Sequence, residues 1–397
     1  MKSTEAWGYL NTVLDGPSPA LQQALRAGRS PEEVAHGIQV RASWLGALAQ
    51  ETERRLNVSV QKIVEQAAQS GFHLIHPDSP YWPAEVLGQA FFHAEHSADV
   101  SSHTDPRELT APHGLWIRGN QDLKSLTARA VGIVGTRAAT QYGFETTQQI
   151  CTDLARHHYT IFSGGALGID TYAHRTALEC NTPTVAVMAS GPGFVYPLRN
   201  KDLFDRIVDS GGALITEYAP GTPAERFRFL VRNRLVAALT QGTVVVEAPY
   251  RSGALNTMKR VDDFGRLPMA VPGPISGGAS NGSNSLIKQQ RAIAIVDIRE
   301  VHGHLSRIGE VDVDAQLELE FAPTPIQELS RNELRVYDVL PRDDQGGITA
   351  EEVAAAAGLS VALTVHLLVD LAKRSLVVRE GTAWAKLPGP PPGIEQG

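Results

Sequence analysis

Seven short apolar runs, each separated from the next by a stretch with helical spacing, constrain this chain more than any other feature. They are AVGIVG (130–135), YTIFSG (159–164), TVAVMAS (184–190), GALIT (212–216), TVVVE (243–247), PMAVPG (268–273) and AIAIVD (292–297). Strands rich in Val and Ile and apolar on both faces cannot leave one face in water. Joined by helices, they pack as a parallel sheet covered on both sides. The reading is therefore an α/β, doubly wound fold built on an extended Rossmann-like parallel sheet. Two further strand signals, FHLI (72–75) and LWIRG (115–119), come first. The segment 91–108 between them carries His93, His96 and His103; with no cysteine and no ligand spacing it reads as a solvated loop rather than a zinc site.

A chain of 397 residues exceeds one ordinary core. Residues 1–70 read as an N-terminal helical domain of the SAM or helix-hairpin kind, with Ser18-Pro19 and Ser30-Pro31 as helix starts. Residues 71–305 form the Rossmann-like domain, 306–325 an acidic linker ending in prolines, 326–388 a winged helix and 389–397 a flexible tail. In the winged helix, Ser330, Thr349 and Ser360 cap three helices and Glu380-Gly381 turns a hairpin. Its third helix carries Lys373 and Arg374 only at its end, beside Asp343, Asp344, Glu351 and Glu352, which favours a protein contact over duplex binding. Cys151 and Cys180 lack CxxC spacing and read as thiols in a reducing compartment. There is no signal-like apolar region and no run of about 18 apolar residues. The expected location is cytoplasmic, with no membrane contact.

In an open parallel sheet, ligands bind beyond the carboxyl ends of the strands, where helix N-termini present unpaired N–H groups. Here those ends read Gly135-Thr136-Arg137, Ser163-Gly164-Gly165, Ser190-Gly191 and Arg251-Ser252-Gly253. Glycines admit close backbone approach and hydroxyls add donors, so the ligand is expected to be anionic. A dinucleotide does not fit: GxGxxG is absent, and the second strand ends without the acidic residue that would hold a ribose. A GxxxxGK[ST] loop is also missing, and no cofactor is expected. Ser163 and His174 are not in GxSxG, while Asp170, Glu217 and Glu247 show no metal-ligand spacing; capping and ion pairing account for them. No catalytic residue is expected. Cations are placed more suggestively. Arg137, Arg175, Lys201, Arg232-Asn233-Arg234 and Arg251 can all project to the strand-end edge. Because the net charge is −7, such a site must be a local basic groove on an acidic protein. A groove of this kind suits a sugar–phosphate backbone, and Phe204, one turn after Lys201, is placed either to stack a base or to pack in the core.

The segments VGIVGTRAATQYG (131–143), SGGALGIDTYAHRTALE (163–179), YPLRNK (196–201), ITEYAPGTP (215–223), RNRLVAALTQGTVVVEAPYRSGALNT (232–257) and AVPGP (270–274) resemble the DNA-processing protein A family, also called Smf, of bacterial natural transformation. They cover nearly the whole central domain in the right order, and GTRAATQYG and RFLVRNRLVAA are similar to actinobacterial members. The resemblance implies a homodimeric binder of single-stranded DNA that protects incoming strands and helps load RecA recombinase, with no catalytic chemistry. It also implies that Arg137 and Lys201 hold phosphates, that Phe204 contacts a base, and that the turns at 135–137, 163–165 and 251–253 line the pocket with Arg232 to Arg234. Leu167 stands where many relatives carry arginine, and Leu230 replaces a common proline. The alternative is a nucleotide-acting enzyme such as a Rossmann-type phosphoribohydrolase; its PGGxGTxxE turn is absent, since SGGALGID lacks the trailing glutamate.

Overall fold

The computed structural model describes residues 2–56, 58–97, 104–306, 326, 329–341 and 346–387. His103, Asp343, Asp344, nearly all of the expected linker and the expected tail lie outside the described residues. The chain forms two compact units, Met1–Val311 and Asp312–Gly397.

The first unit is organised by nine strands: β1 (His73–Ile75), β2 (Leu115–Gly119), β3 (Ala130–Val134), β4 (Thr160–Ser163), β5 (Thr184–Val187), β6 (Ala213–Thr216), β7 (Gly242–Val245), β8 (Leu267–Ala270) and β9 (Ile293–Ala294). They lie in the order β1-β2-β6-β5-β4-β3-β7-β8-β9. β3 to β9 are mutually parallel. β2 runs antiparallel to both β1 and β6. All nine strand signals in the sequence become strands, and the fold is mixed α/β around a large parallel sheet. Alternate residues of each strand face opposite cores, as the two-residue period requires. Val131, Ile133, Ile161 and Val244 pack on one side with Ile150 and Leu154. Val134, Phe162, Val185 and Val245 pack on the other with Leu235 and Val261.

Between β1 and β2 the expectation of a loop is corrected. Ala84–His96 is a helix that buries Leu87, Ala90, Phe91 and Ala94. His93 sits on it and its Nδ1 contacts the Asp263 carbonyl at 3.1 Å. The apolar residues recur at three- and four-residue steps, a helical period hidden by the histidines between them.

The N-terminal helices, including Ser3–Val13, Pro19–Arg26 and Pro31–Val40, enclose their own apolar cluster of Leu10, Val13, Val34 and Ile38. Ser18 and Ser30 cap as the sequence suggests. This bundle is tied to the rest of the first unit by Trp7 Nε1 to Asp78, in the turn after β1, at 2.8 Å and by Arg228 Nη2, on the helix Arg226–Ala238, to Asp15 at 2.9 Å. The second unit contains the helices Arg331–Val339, Ala350–Ala357 and Val361–Lys373, capped by Ser330, Thr349 and Ser360. A three-stranded antiparallel sheet completes it, in the order β10 (Ile348–Thr349), β12 (Ala383–Lys386), β11 (Val377–Glu380). Among the described residues, no single helix is long and apolar enough to cross a membrane.

Two buried histidines, His113 and His174, are expected to make this architecture acid-sensitive. Burial, aided by Arg234 for His113 and Arg232 for His174, pushes their pKa values down to about 4 and about 3 from 6.5. The unfolded chain therefore takes up these two protons first as pH falls. Stability is expected to drop from pH 6.5 downward, by up to about 1.4 kcal/mol per pH unit for each ring. Urea titrations at about pH 7.5 and about pH 5.5 check it, with a smaller fall expected in H174Q. A fall in H174Q equal to that of the natural protein would exclude a neutral buried His174 ring.

Candidate functional site

From β3 the chain builds outward through β4 and β5 to β6, then returns to place β7 on the other side of β3. Connections leave these two neighbours in opposite directions, so a crevice must open beyond their carboxyl ends. A cleft of about 930 Å3 lies there. It is bounded by Gly135-Thr136-Arg137 after β3, by Gly164, Ala166 and Asp170 after β4, and by Arg251-Ser252-Gly253 after β7. The helix Arg226–Ala238 supplies most of its remaining wall, with Tyr196, Ala224 and Pro249.

The first turn is stitched to β7. Thr136 N donates to Glu247 O at 2.7 Å. The Glu247 carboxylate accepts from Thr140 N and Oγ1, each at 2.9 Å, at the start of the helix Gln141–Arg156. A Cβ at Gly135 would stand 2.9 Å from Glu247 O and crowd Ile169. Only glycine lets the turn pass, and the turn delivers Arg137, exposed, to the rim.

Arg232 lies deeper and is 4% exposed. Its Nη1 donates to Gly164 O at 2.6 Å and to Val187 O, and its Nε to Asn233 Oδ1 at 3.2 Å. Asp170 accepts from Gly164 N at 3.1 Å and Ala166 N at 3.3 Å, so guanidinium and carboxylate clamp one turn. Burial pushes Arg232 down to about 10, leaving it cationic at neutral pH. The same burial pushes Asp170 up, against the pull of Arg232. Arg137, Arg226 and Arg251 are exposed around this buried pair of groups. Ser252 Oγ accepts from Ala254 N at 3.2 Å and caps the helix Gly253–Asp263. Its first turn, at the positive end of the helix dipole, lines the cleft. Asn233 Nδ2 holds that turn through Gly253 O at 3.3 Å and Asn256 Oδ1 at 3.2 Å.

Gly135, Thr136, Arg137, Gly164, Arg232, Asn233, Arg251, Ser252 and Gly253 are therefore brought together. The other six sequence candidates are not among the lining residues. Arg234 is corrected outright: it is 0% exposed and its Nη2 donates to both Glu217 oxygens at 2.7 Å. It follows Arg232 by two residues on one helix, which turns the side chains to opposite faces. Ser163 is buried and donates to Ile133 O at 2.6 Å. Gly165 is buried at φ +67°, where a Cβ would meet the Phe204 ring at 2.9 Å. Phe204 itself is 2% exposed and packs with Ala186, Met188 and Ile207, so its ring is a core ring and not a stacking surface. Lys201 is exposed and pairs with Asp205 at 3.0 Å. Its neighbour Asn200 touches Gly165 O at 3.0 Å. Arg175 is exposed on the helix Ile169–Glu179, off the cleft.

The paired nucleophile and base that the sequence leaves conceivable is not assembled. Ser163 is spent on β3, and His174 Nδ1 contacts Thr184 Oγ1 at 2.7 Å. Among the described residues, no group of three or more His, Cys, Asp or Glu could hold a metal ion. What sequence reasoning missed is aromatic: Tyr196 and Phe229 line the cleft with Leu230. The signal for Phe229 was present in RFRFLVRNR (226–234), where arginines and phenylalanines interleave as in strand-binding surfaces.

The protein has a Rossmann-like fold, with a switch-point cleft that carries a helix N-terminus and exposed arginines. The chain belongs to the family of DNA recombination-mediator protein A, whose model matches residues 96–306. A DNA processing protein, DprA, of Mycobacterium tuberculosis H37Rv is 36% identical over 389 residues, 96% of this chain and 94% of the relative. DprA of Streptococcus pneumoniae R6 is 39% identical over 179 residues, 45% of this chain and 62% of the relative. The X-ray structure of the Streptococcus pneumoniae protein superposes with a TM-score of 0.61 at 26% identity, covering 77% of this chain and 99% of that one.

Proposed function

We propose that this protein is a non-catalytic recombination mediator that binds single-stranded DNA in the switch-point cleft, protects it and helps load RecA recombinase onto it, acting as a homodimer. One observation carries the reading: Arg137, Arg226 and Arg251 are exposed around one cleft, above the buried Arg232. On a chain of net charge −7, such a local excess of cations beside a helix N-terminus favours a flexible polyanion. Membership of a recombination-mediator family supports the same role. The second unit, read as a winged helix, presents Val361, Val365 and Val369 exposed at four-residue steps along one helix. That apolar stripe suits a protein contact better than duplex phosphates.

The test is a salt titration of binding to an unstructured oligonucleotide and to its duplex. Three to four phosphate contacts give a log–log slope of roughly −2 to −3 on the single strand. Tighter binding to the single strand with that slope is the expected result. Equal affinity for the duplex, or a slope near zero, would exclude the proposal.

A further inference from the structure

We propose that Asp15, in the loop between the first two N-terminal helices, is a positioning residue for the single-strand site: through Arg228 it holds the first turn of the helix Arg226–Ala238. The inference rests on the single-strand reading above. It adds a task for the N-terminal bundle, none of whose residues is among those lining the cleft.

The helix Arg226–Ala238 begins with little support from its own sequence. Its N-cap, Glu225, makes no side-chain capping bond, and its first turn holds no acidic residue. Arg226 and Arg228 instead place two cations at the positive end of the helix dipole, which favours fraying. That turn matters because Arg226, which is exposed, lines the cleft. Arg228 follows it by two residues, so about 200° of helical rotation sends its side chain to the opposite face.

On that face Arg228 is anchored. Its side chain is 6% exposed, and Nη2 donates to Asp15 Oδ2 at 2.9 Å. Nη1 donates to Pro223 O at 2.9 Å and approaches Glu225 Oε2 at 3.3 Å. Pro223 and Glu225 belong to the segment that leads into the helix and give with it if it frays. Of these three partners, Asp15 is the one that ties the turn to a separate layer of the fold. Its loop is itself held, since Arg55 Nη2 donates to the other Asp15 oxygen at 3.3 Å. Gly16, at φ +89°, passes so near Tyr218 that a Cβ would stand 2.9 Å from the ring. The Arg228 guanidinium carbon lies 5.3 Å from the centroid of that same ring. Beside the loop opens a second cleft of about 350 Å3, lined by Leu14, Asp15, Pro17, Glu51, Asp105 and Arg107. On that side polar contacts, not close packing, fix the loop.

The sign of the effect separates positioning from bulk charge. Asp15 is an anion, so its removal would strengthen binding of a polyanion if long-range charge alone counted. Positioning requires the reverse.

Binding by the full chain is measured by fluorescence anisotropy at low salt with an unstructured strand of about twenty nucleotides. Asp15→Asn, at a side chain 44% exposed, should keep the fold and bind about fivefold more weakly. Asp15→Glu should recover most of that loss. Arg55→Ala, which removes the other partner of Asp15, should bind within about twofold of the natural protein. In an Arg226→Ala background, Asp15→Asn should cost less than about twofold, because the cation it places is gone. Hydrogen exchange reads the turn without DNA: the amides of Leu230, Val231 and Arg232, bonded to first-turn carbonyls, should exchange about fivefold faster in Asp15→Asn. Unchanged or tighter binding by Asp15→Asn would overturn the proposal and leave the single-strand reading intact. Unchanged exchange, or an undiminished loss in the Arg226→Ala background, would overturn it too. Failure of the natural protein to bind the strand would remove the single-strand reading and this task with it.

Discussion

Replacing Arg234 by alanine is expected to lower the unfolding free energy by about 3–5 kcal/mol. Its guanidinium is fully buried, donates to both Glu217 oxygens at 2.7 Å and passes a further bond from Nε to Arg107 O at 3.0 Å. Glu217 is 1% exposed, and burial pushes its carboxyl up even against the pull of Arg234. Removing the arginine leaves that carboxyl without its partner in a place water cannot reach, which is the costly direction of change. Replacing both partners by apolar residues of similar volume should recover most of the loss, because no uncompensated charge remains. Urea denaturation of Arg234→Ala and of an Arg234→Met/Glu217→Leu pair measures both. A loss below about 1 kcal/mol in the single variant would mean that the pair is not buried as described.

Arg137→Ala is expected to weaken single-strand binding about tenfold at low salt, the scale of one charge-assisted hydrogen bond. It should also make the salt slope shallower by about 0.7. The side chain is exposed at the cleft rim and its guanidinium approaches an aromatic ring but no carboxylate among the ion pairs described. Removing it should therefore leave the fold intact. Lys201→Ala is the informative comparison. The sequence ranks the two cations equally, but Lys201 is paired with Asp205, which also accepts from Arg118 at 2.8 Å. A phosphate would have to compete with that carboxylate, so the effect of Lys201→Ala should be clearly smaller. Anisotropy titrations at several salt concentrations separate the outcomes. A Lys201 effect equal to that of Arg137 would place the strand across the helix Lys201–Asp209 as well as in the cleft.

The fold was legible because burial on both faces writes itself into composition. Each parallel strand lies in a short apolar run with turn residues at its end, and all nine strand signals became strands. The strand-end turns were legible for a similar reason: Gly135 has no room for a side chain, so the constraint falls on residue type. The helix Ala84–His96 was not read, because His93 and His96 obscured a helical spacing of Leu87, Ala90, Phe91 and Ala94.

The site was read less completely. Arg232 and Arg234 are indistinguishable as letters, yet 200° of helical rotation sends one to the cleft and the other to Glu217. Phe204 follows Lys201 by one turn, but the packing of Gly165 and Ile207 against it turns the ring inward. Tyr196 and Phe229 stand 33 positions apart and meet only because the β5–β6 connection folds back over the helix Arg226–Ala238. Sequence by itself determined which segments are strands, where their glycine turns fall and which family the pattern resembles, since those follow from burial period and steric room along the chain. Tertiary structure alone decided which cations face the ligand, because a long side chain is directed by the carboxylates and carbonyls that packing brings to it, and these come from distant strands.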